Sequence, residues 1–199
     1  MKIILDAMGG DNAPGAVVMG GLTACRQLGT EIVLVGRERE IRDCLNACGG
    51  ASEQRITVVN ADEVVTMEDD PATACRVKKN SSITVALTML KNGEGDAAVS
   101  AGSTGALLTG ATLIVKRVRG IRRAAMGPVL PNGGKGVMLI DCGANVECTP
   151  EYLLQFAYMG SFYAKRIMGC QAPRVALLNV GTEDTKGGEL QKEAFALLK

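Results

Sequence analysis

A chain of 199 residues, 47% hydrophobic and 22% charged, has the balance of a globular protein that buries a core, and its length suits one domain or two small ones sharing a core. It contains no histidine, which excludes Ser-His-Asp and Cys-His nucleophile systems, imidazole general bases and histidine-ligated metal sites. With 22 basic and 21 acidic side chains the net charge is +1, too small a basic excess for a dominant nucleic-acid footprint.

Lys2–Ala7 is too short in apolar residues for a signal peptide and reads as a first strand. Asp11 or Asn12 then caps a helix whose first turn holds Pro14, with Val18, Leu22 and Cys25 on one face. A second strand, Glu31–Gly36, contains the run Ile32-Val33-Leu34-Val35, which suits a strand covered on both faces. A third follows at Arg55–Asn60. The acids Asp62, Glu63, Glu68, Asp69 and Asp70 precede Pro71; helix entries favour such residues, and no chemistry is assigned to them. Ser81 or Ser82 caps a helix with the stripe Ile83, Ala86, Leu87 and Leu90, which Asn92-Gly93 stops. Strand Asp96–Ala101 leads into a helix with the face Leu107, Ala111 and Ile114.

The stretch Lys116–Lys135, with Pro128, Pro131 and Gly133-Gly134, reads as a crossover or a hairpin-like excursion. Strand Gly136–Cys142 follows. Thr149 before Pro150 and Glu151 starts a helix striped by Leu153, Phe156, Ala157, Ala164 and Ile167, ending at Lys165-Arg166 before Gly169. Arg174–Val180 is the last predicted strand. The helical pattern Gly188–Lys199, with Leu190, Ala194, Leu197 and Leu198 on one face, reaches the end without a cap, as in a chain cut inside a larger domain. Strand and helix in alternation predict a parallel or mixed sheet sandwiched by helices, in a single α/β domain over 1–199 that is incomplete at its C-terminal end.

Seven cysteines without a C-x-x-C pair read as small apolar residues in a reducing, cytoplasmic compartment. No apolar run approaches the roughly 18 residues of a membrane span. All aromatic residues lie between Tyr152 and Phe195, so the earlier core is aliphatic and stacking on bases is disfavoured there.

In doubly wound folds, ligands bind beyond the carboxyl ends of the strands. Four such ends are rich in glycine and short polar residues: Asp6–Asn12, Ser100–Ala106, Asp141–Glu147 and Asn179–Gly187. In the second, Gly102 allows close backbone approach, and Ser103 and Thr104 open a helix whose free N–H groups suit an anion, most naturally phosphate. An ordinary Ser/Thr cap is the plain alternative. Neither G-x-G-x-x-G nor the P-loop pattern occurs, which argues against a dinucleotide-dependent dehydrogenase. Lys78-Lys79 before Ser81-Ser82 could add a cation to an oxyanion site, or be a solvated pair. Lys116, Arg117, Arg119, Arg122 and Arg123 form a basic patch suited to an acidic protein or anionic lipid, or a plain surface loop.

Taken in order, Leu5–Asp11, Glu68–Pro71, Lys78–Ile83, Val99–Ala106, Asp141–Asn145 and Leu177–Gly181 strongly resemble the phosphate acyltransferase (PlsX) family of bacterial phospholipid synthesis. Ser103 stands where Asn is frequent, and Cys142 where an aliphatic residue is common. The family is longer, continuing past Lys199. The resemblance implies a three-layer α/β sandwich of the isocitrate/isopropylmalate dehydrogenase-like, phosphotransacylase-like kind. It implies transfer of a long-chain acyl group from acyl carrier protein to inorganic phosphate, with no metal or cofactor, in a homodimer associated peripherally with the membrane. Phosphate is itself the nucleophile and the thioester is already activated, so positioning and charge stabilisation suffice. Gly102, Ser103 and Thr104, with Lys79 and Ser81, would hold phosphate. Asp6, Asp11, Asn12, Asp141, Asn145 and Asn179 would line the catalytic cleft, with Lys186 as electrostatic partner, and Arg117, Arg119, Arg122 and Arg123 would receive the carrier protein. An acyl-CoA phosphotransacylase and an inactive carrier-binding module are the competing readings.

Overall fold

A computed structural model describes residues 1–183 and 186–199, which form two compact units, Met1–Lys116 and Arg117–Lys199. In the first unit, β1 (Lys2–Asp6), β2 (Glu31–Gly36), β3 (Ile56–Asn60) and β4 (Ala97–Val99) make one parallel sheet in the order β3-β2-β1-β4. Ile3 stands beside Ile32 on one side of β1 and beside Ala97 on the other. The helices are α1 (Gly15–Leu28), α2 (Glu38–Ala47), α3 (Ala74–Val77), α4 (Ser82–Lys91) and α5 (Thr104–Gly110), the last continuing as a π-helical turn over Ala111–Val115.

The side-chain alternation of a strand sorts β2 into two cores. Ile32 and Leu34 pack with Val18, Cys25, Ile41 and Leu45 of α1 and α2. Val33 and Val35 face the opposite way and pack with Ile4 and with Ala86 of α4. Both sides of the sheet are therefore covered by helices, giving the α/β sandwich that the continuous apolar run of β2 implies. A third cluster ties Ala74 and Cys75 to Ile83, Leu87 and Ala106, with Leu107, Ala111 and Ile114 against it, so the apolar face expected for α5 is the one it buries.

α1 buries the expected Val18, Leu22 and Cys25, but neither Asp11 nor Asn12 caps it with a side chain. Pro14 occupies the N-cap, and the Asn12 carbonyl instead accepts the Ala16 N–H at 3.0 Å. Gly29 ends the helix in the left-handed region at φ 66°, donating its N–H to the Cys25 carbonyl.

In the second unit, β5 (Val129–Leu130) and β6 (Val137–Met138) form a short antiparallel pair, so the excursion over 116–135 is half of a hairpin. The predicted strand Gly136–Cys142 shrinks to β6. α6 (Pro150–Arg166) starts where predicted, with Thr149 Oγ1 accepting the Tyr152 N–H, and α7 (Glu189–Leu198) packs on it. Phe156 and Ala194 are buried. Arg174–Val180 is not a strand. Strand propensity is fitness for a half-buried pleated surface, and no hydrogen-bonding neighbour pairs with this run among the described residues. Leu178 and Val180 accordingly stand exposed. No helix among the described residues is long and apolar enough to cross a membrane.

Candidate functional site

The strand order decides where a ligand crevice opens in the first unit. From β1 the chain winds to β2 and β3 on one side, then returns to place β4 on the other, so the topological switch lies between the carboxyl ends of β1 and β4. The loops that meet there are Asp6–Gly10 and Ser100–Thr104. Asp6 is buried, yet its carboxylate has partners: Oδ2 accepts the Ser100 hydroxyl at 2.7 Å and Oδ1 the Met8 N–H at 3.3 Å. Ser100 Oγ in turn accepts the Gly102 N–H at 3.1 Å. A buried carboxylate thus holds a hydroxyl, and that hydroxyl holds the loop leading into α5. Such a chain keeps Asp6 satisfied inside the fold, where an unpaired charge would be costly.

Two glycines make the approach possible. A Cβ on Gly9 would lie 2.7 Å from Asp6 Oδ2 and 2.9 Å from both Gly102 N and Ser100 Oγ. Gly105 is the second, because a Cβ there would lie 2.8 Å from Pro71 Cβ. Pro71 closes the acidic loop, which is braced by its own bonds. Asp69 Oδ2 accepts Lys78 Nζ at 2.6 Å and the Thr66 N–H at 2.7 Å. The Lys78 ammonium holds the Asp69 carboxyl below its ordinary value. Asp70 accepts the Ala72 N–H and the Thr73 hydroxyl ahead of α3.

Of the residues expected to hold phosphate, the structure brings Gly102, Ser103 and Thr104 to the switch point, with one change of role. The Gly102 N–H points inward to Ser100. Ser103 Oγ accepts the Ala106 N–H at 3.3 Å, so it caps α5. The Thr104 and Gly105 N–H groups donate to no protein acceptor among the described residues. Lys79 is exposed. Ser81 lies at 0% exposure; its hydroxyl donates to the Lys78 carbonyl at 2.8 Å and sits 2.8 Å from Thr84 Oγ1, so it organises the entry to α4 and offers no donor outward. Asp11 and Asn12 stand exposed beyond β1.

The remaining expected residues belong to the second unit, in two bonded pairs. Asp141 Oδ2 accepts both the backbone N–H of Asn145 at 2.7 Å and its side-chain amide at 3.1 Å, while Oδ1 accepts the Met126 N–H at 2.7 Å. Asn145 Nδ2 also donates to the Ala124 carbonyl. Both line a cavity of about 550 Å³ together with Leu153, Ala157, Val175 and Leu177. Burial pushes the Cys148 thiol in that lining upward, and the nearby Asp141 charge adds to the shift. Asn179 Nδ2 donates to the Lys186 carbonyl at 3.0 Å, and both residues line a smaller cavity of about 330 Å³. Asp184 and Thr185 of the same glycine-rich segment lie outside the described residues. Arg117, Arg119, Arg122 and Arg123 are exposed. Arg117 donates to the Arg122 carbonyl, and Arg123 stacks over the Tyr152 ring at 5.8 Å.

Ser100 and Gly9 are the residues that sequence reasoning did not single out. Ser100 lies directly after β4 and two residues before Gly102, a position that only pairing with β1 turns toward Asp6.

The family model described as "Fatty acid synthesis protein" matches residues 1–199. The chain belongs to that family. Relatives named "Phosphate acyltransferase" come from Bacillus cereus, at 49% identity, and Bacillus cytotoxicus, at 47%, each aligned over 100% of this chain. The chain spans 59% of the length of each. Among solved structures, the EutD phosphotransacetylase from Staphylococcus aureus superimposes with a TM-score of 0.74 at 18% identity, over 99% of this chain and 63% of its own. That likeness establishes a shared α/β fold with a mostly parallel sheet, which the family member described here shows in its first unit.

Proposed function

We propose that this chain carries acyl-transfer machinery that moves a long-chain acyl group from acyl carrier protein to inorganic phosphate, giving an acyl phosphate for phospholipid synthesis. The observation that carries the reading is the Asp6–Ser100–Gly102 chain at the switch point, in a family whose near relatives are named for acyl transfer to phosphate. In the reaction, a phosphate oxygen attacks the thioester carbonyl carbon. The C–S bond breaks as the C–O bond forms, and the carrier leaves as a thiolate that takes up a proton. Thr104 and Gly105 offer N–H groups to the phosphate oxygens, with the hydroxyls of Ser103 and Thr104 beside them and Lys79 as a mobile cation. Asp6 is a positioning residue that acts through Ser100.

Asp11 and Asn12 in the first unit, and Asp141, Asn145 and Asn179 in the second, are assigned to orienting the nucleophile and the carbonyl, with Lys186 as electrostatic partner of the negative charge that grows on the carbonyl oxygen. The exposed arginines at 117, 119, 122 and 123 suit an acidic carrier protein. The resemblance further implies a homodimer associated peripherally with the membrane.

The test is to supply acyl carrier protein or coenzyme A charged with the same acyl group, add phosphate, and trap acyl phosphate with hydroxylamine. Phosphate-dependent hydroxamate from the carrier-protein donor is the expected result. Product from acyl-CoA alone would transfer the reading to a phosphotransacylase. No product from either donor, with carrier binding intact, would leave a binding module. Reversing Arg119 and Arg122 to Glu is expected to weaken carrier binding, most at low salt; equal binding at every ionic strength would remove the patch from the site.

A further inference from the structure

The first turn of α5 is held from two sides. Asp6 and Ser100 fix the loop before it from β1, and Pro71 stands against it from the other direction. A Cβ on Gly105 would lie 2.8 Å from Pro71 Cβ and 3.1 Å from Pro71 Cγ, so the proline ring rests directly on the start of the helical run Thr104–Val115. Immediately after this contact, the Cys75 thiol of α3 donates to the Ala106 carbonyl at 3.7 Å, and Ala74, Cys75 and Ala106 share one buried cluster. α3 and the turn that leads into it are therefore packed on α5.

That turn is gathered around Asp69 and tied down by Lys78. Lys78 Nζ donates to Asp69 Oδ2 at 2.6 Å and to the Val64 carbonyl at 2.8 Å. Asp69 Oδ2 also accepts the Thr66 N–H and hydroxyl, at 2.7 and 3.1 Å. The side chains of the pair are only 27% and 23% exposed, so the charges act on each other with little screening. With two of its three donors committed to loop oxygens, Lys78 is suited to placing the loop rather than to carrying an anion, the part given to exposed Lys79. We propose that Lys78 is a positioning residue of the phosphate site, acting through Asp69 and Pro71 on the first turn of α5. The inference rests on the acyl-transfer reading, in which the Thr104 and Gly105 N–H groups receive phosphate. Amides stabilise an anion when they are fixed before it arrives, and a displacement of about 1 Å can cost on the order of a hundredfold. Glycine is the residue with the most backbone freedom to lose, so Gly105 gains most from a stop outside the helix.

Phosphate saturation of acyl phosphate formation, at fixed acyl donor, tests it. Lys78→Met keeps the stem and removes the charge; it is expected to raise the KM for phosphate roughly tenfold, with kcat and the KM for the acyl donor within about twofold of the parent. Lys78→Arg supplies donors for both acceptors and is expected to return to within about threefold. Pro71→Gly removes the ring that meets Gly105 and leaves the ion pair in place, and the same rise in phosphate KM is expected. Because both changes act through one contact, the double variant should be no worse than about twofold beyond the larger single effect.

A folded Lys78→Met with parental phosphate KM overturns the proposal. So does a fall in kcat with phosphate KM unmoved, which is the mark of a pair that only stabilises the fold. Effects of Lys78→Met and Pro71→Gly that multiply to about a hundredfold would overturn it as well, since separate routes add in free energy. If Lys78→Met does not fold, exposed Pro71→Gly decides alone, and an unchanged phosphate KM there is fatal. Phosphate binding without donor, followed by phosphorus NMR line broadening, separates this inference from the reaction. A parent that binds phosphate and makes no acyl phosphate removes the acyl-transfer reading alone, and the tenfold rise is then expected in Kd. A parent that binds no phosphate removes both.

Discussion

Asp6 shows how much of the site rests on a single carboxylate. It is 3% exposed and keeps its charge acceptable by taking hydrogen bonds from Ser100 and Met8, and the same contact fixes the loop that enters α5. Gly9→Ala would set a methyl group within 3 Å of three polar atoms of this chain, one of them a backbone nitrogen that cannot rotate away. We expect it to cost about 1–3 kcal/mol, read as a lower urea midpoint at unchanged slope; an unaltered midpoint would show that the loops are not packed as described. Ser103→Ala and Gly102→Val are expected to raise the apparent KM for phosphate. Both variants keeping the parental phosphate dependence would reject the placement of phosphate.

Asp69 gives a pH-dependent test. Its folded pKa is depressed by Lys78, so its contribution is present above the ordinary value of about 3.9 and is lost as pH falls through the lower folded value. Lys78→Met should therefore lower stability at neutral pH, with the deficit shrinking as pH drops below about 4. A deficit that persists unchanged in acid would assign the effect to packing of the lysine stem. At this scale the sequence exposes the chemistry of strand ends but not burial. Asp6 and Gly102 are legible from their position after strands. The inward turn of the Gly102 N–H and the burial of Ser81 are not, because both follow from which strand lies next to which.

Among the elements, those whose partners lie within the same unit are legible and those that need a distant neighbour are not. β2 reads correctly because four consecutive apolar residues require cover on both faces, which α1, α2 and α4 supply. Leu34, fully buried between β2 and α1, should cost about 2–5 kcal/mol when cut to Ala. Arg174–Val180 also carries four consecutive apolar residues but has no ladder, and Val175, Leu178 and Val180 stay exposed. Helix starts behave the same way. Thr149 and Ser103 cap as their sequence context predicts, since the acceptor and the N–H lie three residues apart. At α1, Pro14 takes the N-cap and displaces the Asx cap expected from Asp11 or Asn12. Thr149→Ala is expected to lower stability by about 0.5–2 kcal/mol, with Thr149→Ser close to the parent; equal loss in both would point away from the cap.

At the scale of the whole molecule, the division at Lys116 carries its own consequence. Met1–Lys116 holds a four-stranded parallel sheet with helices on both faces and three clusters of buried side chains, all formed from its own residues. It also contains both loops of the switch point. A unit of this size buries a sufficient fraction of its chain surface to be stable without disulfides or metals. Alternating strand and helix in the sequence announces the layered fold, but not this boundary. The π-helical turn that follows α5 runs to Val115, so helical structure continues up to the boundary.

We therefore expect the fragment 1–116 to fold alone, with one cooperative urea transition and the same midpoint by far-UV circular dichroism and amide exchange. Its β1–β4 contact can be probed in the same fragment, where Ser100→Ala removes the partner of Asp6 Oδ2 and should lower stability by about 1–3 kcal/mol, read as a lower urea midpoint. A fragment that melts without cooperativity would mean that the sheet needs the rest of the chain to hold together. A cooperative fragment indifferent to Ser100→Ala would leave the fold standing while dissolving the link between Asp6 and the phosphate loop.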